Sequence, residues 1–145
     1  MATVRRKPAV LRVNPSDNHV DVLVKDAKSG IQLSRLGFDP NYPPVKMAVV
    51  PDTNGNGSDE VVVLGVRFNN GNQKAVVKDG RTNKLIKRVF FNPEFIGQDL
   101  AVCPDMNGNG VSELVMLGRR GYDEIKAFIK DAKTGALIKR VEFEL

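Results

Sequence analysis

Short apolar segments rich in valine and isoleucine alternate with clusters of glycine, asparagine and proline along most of the chain. Examples are the segments 47–50, 60–66, 74–78 and 85–91. Segments of this length and composition, bounded by turn residues, are typical of β-strands. No stretch spaces its apolar residues at i, i+3 and i+4 over the roughly 10 to 12 residues that a helix needs. The pattern therefore predicts an all-β fold.

Some of these strands are apolar at consecutive positions instead of alternating positions, notably 60–64 and 100–103. A short continuous apolar run is typical of a strand that is buried on both sides of its sheet. We therefore expect these strands to belong to sheets that are covered on both faces.

The same order of segments returns after about 53 residues, the offset from Asp52 to Asp105. The segment PDTNGNGSDE at 51–60 returns as PDMNGNGVSE at 104–113. Each period holds four predicted strands, and a regular period of this kind indicates stacked supersecondary units.

A second block recurs three times, as KDAKSG at 25–30, KDGRTN at 78–83 and KDAKTG at 130–135. We interpret it as the hairpin between the third and fourth strands, because Asp, Thr and Gly all have ordinary roles in turns. Its last residue, Gly30, Asn83 or Gly135, is of a type that tolerates a positive φ.

Four-stranded antiparallel sheets buried on both faces and repeated every 50 or so residues are typical of consecutive β-propeller blades. Complete blades are predicted at 46–91 and 99–144, a truncated blade of three strands at 8–38, and an N-terminal tail at 1–7. About 2.75 blades are fewer than the 4 to 8 of closed propellers. We expect a fragment, an open array or a self-assembling homo-oligomer, with exposed blade faces that bind a protein partner or another copy.

Composition narrows the classes of partner. The chain is 41% hydrophobic and 27% charged, as globular domains are, and it has no apolar run near the roughly 20 residues of a membrane helix. The net charge of +5 comes from lysines and arginines that recur singly at equivalent positions, which indicates a solvated face and not a nucleic-acid site. The single cysteine, Cys103, excludes an internal disulfide and is expected to be buried.

The two loops at 52–60 and 105–113 have the ligand chemistry of calcium, which takes six to eight oxygen ligands from carboxylates, amides and backbone carbonyls. Candidate ligands stand at positions 1, 3, 5 and 9, with a backbone carbonyl at position 7. In the first loop they are Asp52, Asn54, Asn56, the carbonyl of Ser58, and Glu60. In the second they are Asp105, Asn107, Asn109, the carbonyl of Val111, and Glu113. Two carboxylates per site predict weak binding, with Kd roughly 10⁻⁴ to 10⁻³ M.

Glycine stands at position 6 of each loop, at Gly57 and Gly110, where the chain must bend sharply. The helix-loop-helix calcium motif places a Glu at position 12, but here position 12 is Val63 or Met116. The loops therefore predict a strand-loop-strand site. A plain hairpin is the alternative, because Asn-Gly is a strong hairpin signal, but it gives no reason for acidic residues at positions 1 and 9 in both copies.

These Asp-x-Asn-Gly-Asn-Gly-x-x-Glu loops, each leading into an apolar strand, resemble the calcium loops of FG-GAP/VCBS repeats, the blades of integrin-α-like propellers. The resemblance implies a secreted or cell-surface propeller with calcium between the first and second strands of each blade and a role in adhesion or ligand binding. The chain departs from that pattern in lacking the Phe-Gly and Gly-Ala-Pro signatures, in having Asn at positions 3 and 5, and in having Glu at position 9.

No catalytic site is predicted. The lone His19 lies in a polar, turn-like stretch, and the loop glycines precede strands, not the helices of phosphate-binding loops. The favoured function is a non-enzymatic calcium-binding module for protein interaction, adhesion or scaffolding. The alternatives are a lectin-like carbohydrate-binding propeller and a truncated or engineered array that self-assembles. Against the lectin stand the absence of Trp and the presence of only two tyrosines, of which Tyr42 is expected to pack as Phe95 does.

Overall fold

The computed structural model describes residues 2–4, 7–67 and 69–143. These residues form three four-stranded antiparallel sheets and no helix, and each sheet is built from four strands that follow one another in the chain. The prediction of an all-β fold made of repeated four-stranded sheets is confirmed. Within the described ranges no helix is long and apolar enough to cross a membrane.

The first sheet contains a strand that the sequence reasoning missed. Its order is β1 (Ala2–Val4), β2 (Lys7–Val13), β3 (Val20–Lys25) and β4 (Gln32–Phe38). The predicted tail at 1–7 and the three-stranded blade are therefore wrong for Ala2–Val4, because β1 pairs with β2 and sets Ala2 opposite Ala9. This short strand satisfies part of an edge of β2 that would otherwise lack backbone partners.

The second and third sheets overlap the predicted units 46–91 and 99–144, but their first strands begin earlier, at Pro44 and Ile96. The second consists of β5 (Pro44–Val50), β6 (Glu60–Val66), β7 (Gln73–Asp79) and β8 (Leu85–Phe91). The third consists of β9 (Ile96–Cys103), β10 (Glu113–Arg120), β11 (Glu124–Asp131) and β12 (Leu137–Phe143). The 52–60 loop connects β5 to β6, and the 105–113 loop connects β9 to β10.

The second sheet lies between the other two, and β6 shows why its sequence is continuously apolar. Val61 and Val63 pack into the cluster shared with the first sheet, whereas Val62 and Leu64 pack into the cluster shared with the third. Every residue from Glu60 to Val66 is buried. Alternate side chains of a strand point to opposite faces, so a strand between two sheets buries both sets. The prediction of two-sided cover is confirmed for this strand.

Among the described residues, another sheet covers only one face of the third sheet. For that reason two expectations about β9 are wrong: that both of its faces are covered, and that Cys103 is buried. Ala101 is exposed and Cys103 is only partly buried. The position equivalent to Cys103 in the second sheet is Val50, which is fully buried against the third sheet. An apolar strand at 100–103 was expected to be covered on both faces, but only its Leu100 side contacts a neighbouring sheet.

The sheets meet mainly along their first strands. β5 lies beside both β1 and β9, and these are the closest backbone approaches between sheets, together with a smaller one between β6 and β9. Phe95 packs directly against Gly118 of β10. A Cβ added at Gly118 would come within 2.8 Å of the Cβ of Phe95, so this contact requires glycine. Phe95 is buried with its ring 5.4 Å from that of Phe128, as expected for a packing residue. The arrangement places both Asn-Gly loops at the same end of adjoining sheets.

Candidate metal sites in the two Asn-Gly loops

The 52–60 loop curls around the carboxylate at its first position. Oδ1 of Asp52 accepts the backbone N–H groups of Asn54 at 3.2 Å and Gly55 at 2.9 Å, and its Oδ2 accepts that of Gly57 at 2.8 Å. Gly55 and Gly57 have φ angles of 77° and 83°, which side chains with a Cβ rarely adopt. The sharp bend expected at position 6 is therefore present.

The 105–113 loop repeats this geometry. Oδ1 of Asp105 accepts the N–H groups of Asn107 at 3.1 Å and Gly108 at 2.9 Å, and its Oδ2 accepts that of Gly110 at 2.7 Å. The glycines have φ angles of 80° and 81°. The two loops thus share one backbone conformation although they differ at positions 2, 7 and 8.

The two asparagines of each loop converge on a carboxylate from outside the loop. In the first loop, Nδ2 of Asn54 donates to Oδ2 of Asp79 at 3.2 Å, and Nδ2 of Asn56 donates to the same oxygen. Oδ1 of Asn56 accepts the backbone N–H of Ser58 at 2.9 Å. Ser58 therefore enters this network through its N–H.

In the second loop, Nδ2 of Asn107 donates to Oδ2 of Asp131 at 3.2 Å, and Nδ2 of Asn109 donates to the same oxygen. Val111 donates its N–H to Oδ1 of Asn109 at 3.0 Å while its side chain lies in the core. The structure thus brings two of the predicted side chains, Asn107 and Asn109, to a residue that sequence reasoning had assigned only to a turn.

Asp79 and Asp131 are the site residues that the sequence reasoning missed. Both are fully buried at the ends of β7 and β11. Oδ1 of Asp79 accepts the N–H groups of Arg81 and Thr82, each at 2.9 Å, so the hairpin holds one oxygen and the Asn-Gly loop holds the other. A signal was available: an Asp of the hairpin block follows the first loop Asp by 27 residues and the second by 26.

The glutamates at position 9 are buried beside these aspartates. Glu60 lies directly opposite Asp79 across β6 and β7, and Glu113 lies directly opposite Asp131 across β10 and β11. Opposed residues of antiparallel strands project from the same face, with Cβ atoms about 4.5 to 5.5 Å apart. Each loop therefore sets two buried carboxylates next to each other.

One oxygen of each glutamate is without a partner. Oε2 of Glu60 accepts the N–H of Thr53 at 2.7 Å, and Oε2 of Glu113 accepts the N–H of Met106 at 2.6 Å. The other oxygen, Oε1, is buried in both residues and accepts no hydrogen bond. Burying a polar atom without a partner costs roughly 1 to 3 kcal/mol, so the same cost occurs in both loops.

The pKa values of Glu60 and Asp79 are shifted in opposite directions. Burial raises the pKa of Glu60 to about 7, and repulsion from Asp52 and Asp79 acts in the same direction. Burial alone would also raise the pKa of Asp79, but hydrogen bonds from the hairpin N–H groups and the two loop amides outweigh it and hold that pKa at about 2. The pKa of Glu113 is raised from the same causes. In each pair the aspartate carries the charge and the glutamate resists ionisation.

No positive charge within the described ranges neutralises these groups. The ion pairs of lysine, arginine and histidine there are made with other carboxylates. The described side chains also contain no group of three or more His, Cys, Asp or Glu that is arranged to hold a metal as it stands. Asparagine is not among these residue types; the amides of Asn54 and Asn56 turn their N–H groups, not their oxygens, toward Asp79.

The donor set nevertheless fits an oxygen-seeking cation. Rotating each amide by half a turn about its terminal torsion exchanges Nδ2 for Oδ1 at the position beside Asp79, and it breaks the hydrogen bonds that these oxygens accept from the N–H groups of Asn56 and Ser58. The loop would then offer amide oxygens beside the Asp79 carboxylate, and Glu60 would add its unpartnered Oε1. These are the ligand types that calcium takes.

No protein-family model, no curated protein and no solved structure matches the chain. We therefore infer the function from the geometry of the two loops.

Proposed function

We propose that this chain is a calcium-binding repeat module with one calcium ion in each Asn-Gly loop. It is non-enzymatic and serves protein interaction, adhesion or scaffolding, outside the cell or at its surface. The observation that carries the proposal is the pair of buried, directly opposed carboxylates in each loop, Glu60 with Asp79 and Glu113 with Asp131. One oxygen of each pair has no partner.

A bound cation would reduce the repulsion between the two carboxylates and would give the unpartnered glutamate oxygen a ligand bond. If the glutamate ionises, like charges lie directly opposite each other and destabilise the antiparallel sheet, and a buried carboxylate oxygen without a partner adds a further cost. Both features recur in the two loops, whereas the buried and unpartnered Oγ1 of Thr53 occurs in the first loop only. A divalent ion between the carboxylates removes both costs at once, and an all-oxygen donor set favours calcium over softer transition metals.

Five side chains and one backbone carbonyl would hold each ion. In the first loop these are Asp52, Asn54, Asn56, the carbonyl of Ser58, Glu60 and Asp79. In the second they are Asp105, Asn107, Asn109, the carbonyl of Val111, Glu113 and Asp131. When bound, the ion ties the loop between the first and second strands to the hairpin after the third strand.

A metal-free loop held by hydrogen bonds is the alternative. It accounts for the contacts of Asn54 and Asn56 with Asp79, which two amide N–H groups satisfy. It explains why Oε2 of each position-9 glutamate accepts a loop N–H, but it leaves Oε1 of Glu60 and of Glu113 buried without a partner. The calcium site accounts for both unpartnered oxygens and is preferred for that reason.

The proposal includes propeller-type stacking of the kind found in FG-GAP/VCBS repeats. Supporting it are the four-stranded sheets in chain order and the meeting of neighbouring sheets along their first strands. Blades arranged around a common axis have this geometry, because their inner strands approach one another while their outer strands diverge. The loops then lie at one end of the stack.

Thermal unfolding with calcium and with a chelator tests the calcium claim. With Kd near 10⁻⁴ to 10⁻³ M, 10 mM calcium should stabilise the fold by about 1.4 to 2.7 kcal/mol per site, which raises Tm by several degrees. The matched control is the double variant Glu60→Gln with Glu113→Gln, which keeps the shape of the side chains and should lose most of the rise. An equal Tm in calcium and in EDTA would contradict the proposal.

A further inference from the structure

The stack of three sheets leaves two faces that no described sheet covers. We call the first the leading face; it lies on the first sheet and is formed by Pro8, Val10, Leu23 and Lys25, which line a hollow of about 230 Å³. We call the second the trailing face; it lies on the third sheet and is formed by Ala101, Cys103, Leu117, Val141 and Phe143. Both faces carry exposed apolar side chains, and the strand register also places the ion-paired Arg12, Asp21 and Arg35 on the leading face.

The leading face repeats a surface that is buried inside the chain. Val10 lies opposite Leu23 across β2 and β3, as Val63 lies opposite Val76 across β6 and β7. The pair in the second sheet packs on the first sheet, so Val63 is 4% exposed. Val10 is 48% exposed. The leading face therefore has the position and chemistry of an interface without the sheet that covers it.

The trailing face repeats the other half of the same interface. Phe38, Phe91 and Phe143 end the fourth strands of the three sheets. Phe38 and Phe91, each followed along the chain by another sheet, are 8% and 4% exposed, whereas Phe143 is 48% exposed. The chain thus forms one kind of sheet-to-sheet contact twice and presents both halves of a third.

We propose that the leading face of one copy of this chain docks on the trailing face of a second copy, head to tail. The contact is heterologous, since two different surfaces meet. Two such contacts join two copies into a closed ring of six sheets, within the 4 to 8 blades of known propellers. The inference rests on the propeller-type stacking proposed above and does not depend on calcium.

A lysine fixes the register of the contact. At the first internal interface, Nζ of Lys78 donates to the carbonyl of Gly37 and lies 5.4 Å from the ring centroid of Phe38. At the second, Nζ of Lys130 donates to the carbonyl of Phe90 and lies 5.2 Å from the ring centroid of Phe91. The later sheet therefore supplies a lysine to the end of the earlier one in both cases.

Lys25 is the equivalent lysine of the leading face, since it stands at the same place in the repeated Lys-Asp block. It is exposed. In the assembled ring it donates to the backbone carbonyl of Glu142 in the second copy and lies over the ring of Phe143. This pairing specifies which residues meet and excludes contacts in which two identical faces pack together.

Mass in solution tests the assembly. The chain has a mass of 15.9 kDa, so sedimentation equilibrium in EDTA should give twice that value across the micromolar range. A single species of 15.9 kDa throughout that range would overturn the proposal, and so would a ladder of larger open species. Because the measurement is made without calcium, failure of the proposed metal sites would leave its result unchanged.

Mixing two variants tests the head-to-tail geometry. Val10→Asp blocks the leading face and Phe143→Asp blocks the trailing face, so each variant alone should be a monomer. Mixed in equal amounts they should form a one-to-one pair, because one intact copy of each face remains. If either variant alone still forms a dimer, or if the mixture stays monomeric, the head-to-tail contact is wrong.

Two further variants control this experiment. Tyr122→Ser changes a residue that is 91% exposed and lies on neither face, so the dimer should persist. Lys25→Ala removes only the charged hydrogen bond and should weaken dimerisation by about tenfold or more without unfolding the chain. Unchanged dimer affinity in Lys25→Ala would contradict the register proposed here. Circular dichroism confirms that each variant is folded.

Discussion

The first sheet and the second sheet contain the same Lys-Asp hairpin, but only the second sheet sets it against an Asn-Gly loop. The hairpins themselves are alike: Asp26 accepts the N–H groups of Lys28 and Ser29, as Asp79 accepts those of Arg81 and Thr82. Their surroundings differ, because Asp26 is partly exposed whereas Asp79 is completely buried beneath the loop. The same residue is thus a turn former in one sheet and a candidate ligand in the next.

The comparison shows that a candidate ligand site requires two segments together, the Lys-Asp hairpin and the Asn-Gly loop. A hairpin aspartate alone satisfies a turn, and an Asn-Gly loop alone joins two strands. Only where both occur do two amides and a buried glutamate surround the aspartate. The same substitution at equivalent positions of the first and second sheets should therefore change the stability of the chain by different amounts.

The largest difference is expected for removal of the hairpin carboxylate. Asp79→Ala should cost about 3 kcal/mol or more, because it leaves the buried N–H donors of the hairpin and the loop without an acceptor. Asp26→Ala should cost about 1 kcal/mol or less, because water can reach its donors. Urea unfolding of the two variants measures both values. Equal losses would show that the loop adds nothing to the role of the hairpin aspartate.

The next effect concerns pH. The folded chain raises the pKa of Glu60 from 4.5 to about 7, so folding favours the neutral acid. Its contribution to stability is complete below pH 4.5 and is lost as the pH rises through about 7, a loss on the order of 3 kcal/mol at most. Urea unfolding in EDTA should therefore show stability falling across this range, while saturating calcium should remove the fall.

The double variant Glu60→Gln with Glu113→Gln is the control for this effect. It should flatten the pH dependence in EDTA, because an amide does not titrate in this range. The first sheet has no glutamate opposite its hairpin aspartate, because the first glutamate of the chain is Glu60. A pH slope that survives in the double variant would assign the effect to other groups.

A smaller effect is expected from the backbone of the loop. Gly57→Ala forces a Cβ into a φ of 83° and should cost about 1 to 2 kcal/mol, although open space surrounds the new methyl group. Gly37→Ala in the first sheet also adds a methyl group into open space, but without a positive φ, and should be close to neutral. Thermal unfolding of both variants separates backbone strain from crowding. A Gly57→Ala variant as stable as Gly37→Ala would show that the bend is not needed.

Local patterns in the sequence were sufficient to predict most strands and the shape of the loops. The apolar run of β6 indicated two-sided burial because its alternate side chains pack on different sheets. The glycine at position 6 indicated the bend because few other residues adopt a positive φ. Asp52, Asn54, Asn56 and Glu60 were identified as candidate ligands because they lie within one short loop.

Features that depend on residues far away in the sequence could not be predicted from local patterns. Asp79 joins the loop only through the pairing of β6 with β7, and nothing in its own hairpin distinguishes it from Asp26. β1 has three residues and no alternating pattern of its own; it exists because β2 offers an edge. Cys103 is only partly buried because no sheet among the described residues covers it, and its apolar neighbours in sequence do not reveal this.

The central claim is tested most directly by a calorimetric titration with calcium of the chain and of its hairpin variants. We predict two ions per chain for the unmodified chain and for Asp26→Ala, one for Asp79→Ala, and none for the double variant Asp79→Ala with Asp131→Ala. Absence of binding to the unmodified chain, or a loss of one ion in Asp26→Ala, would contradict the account.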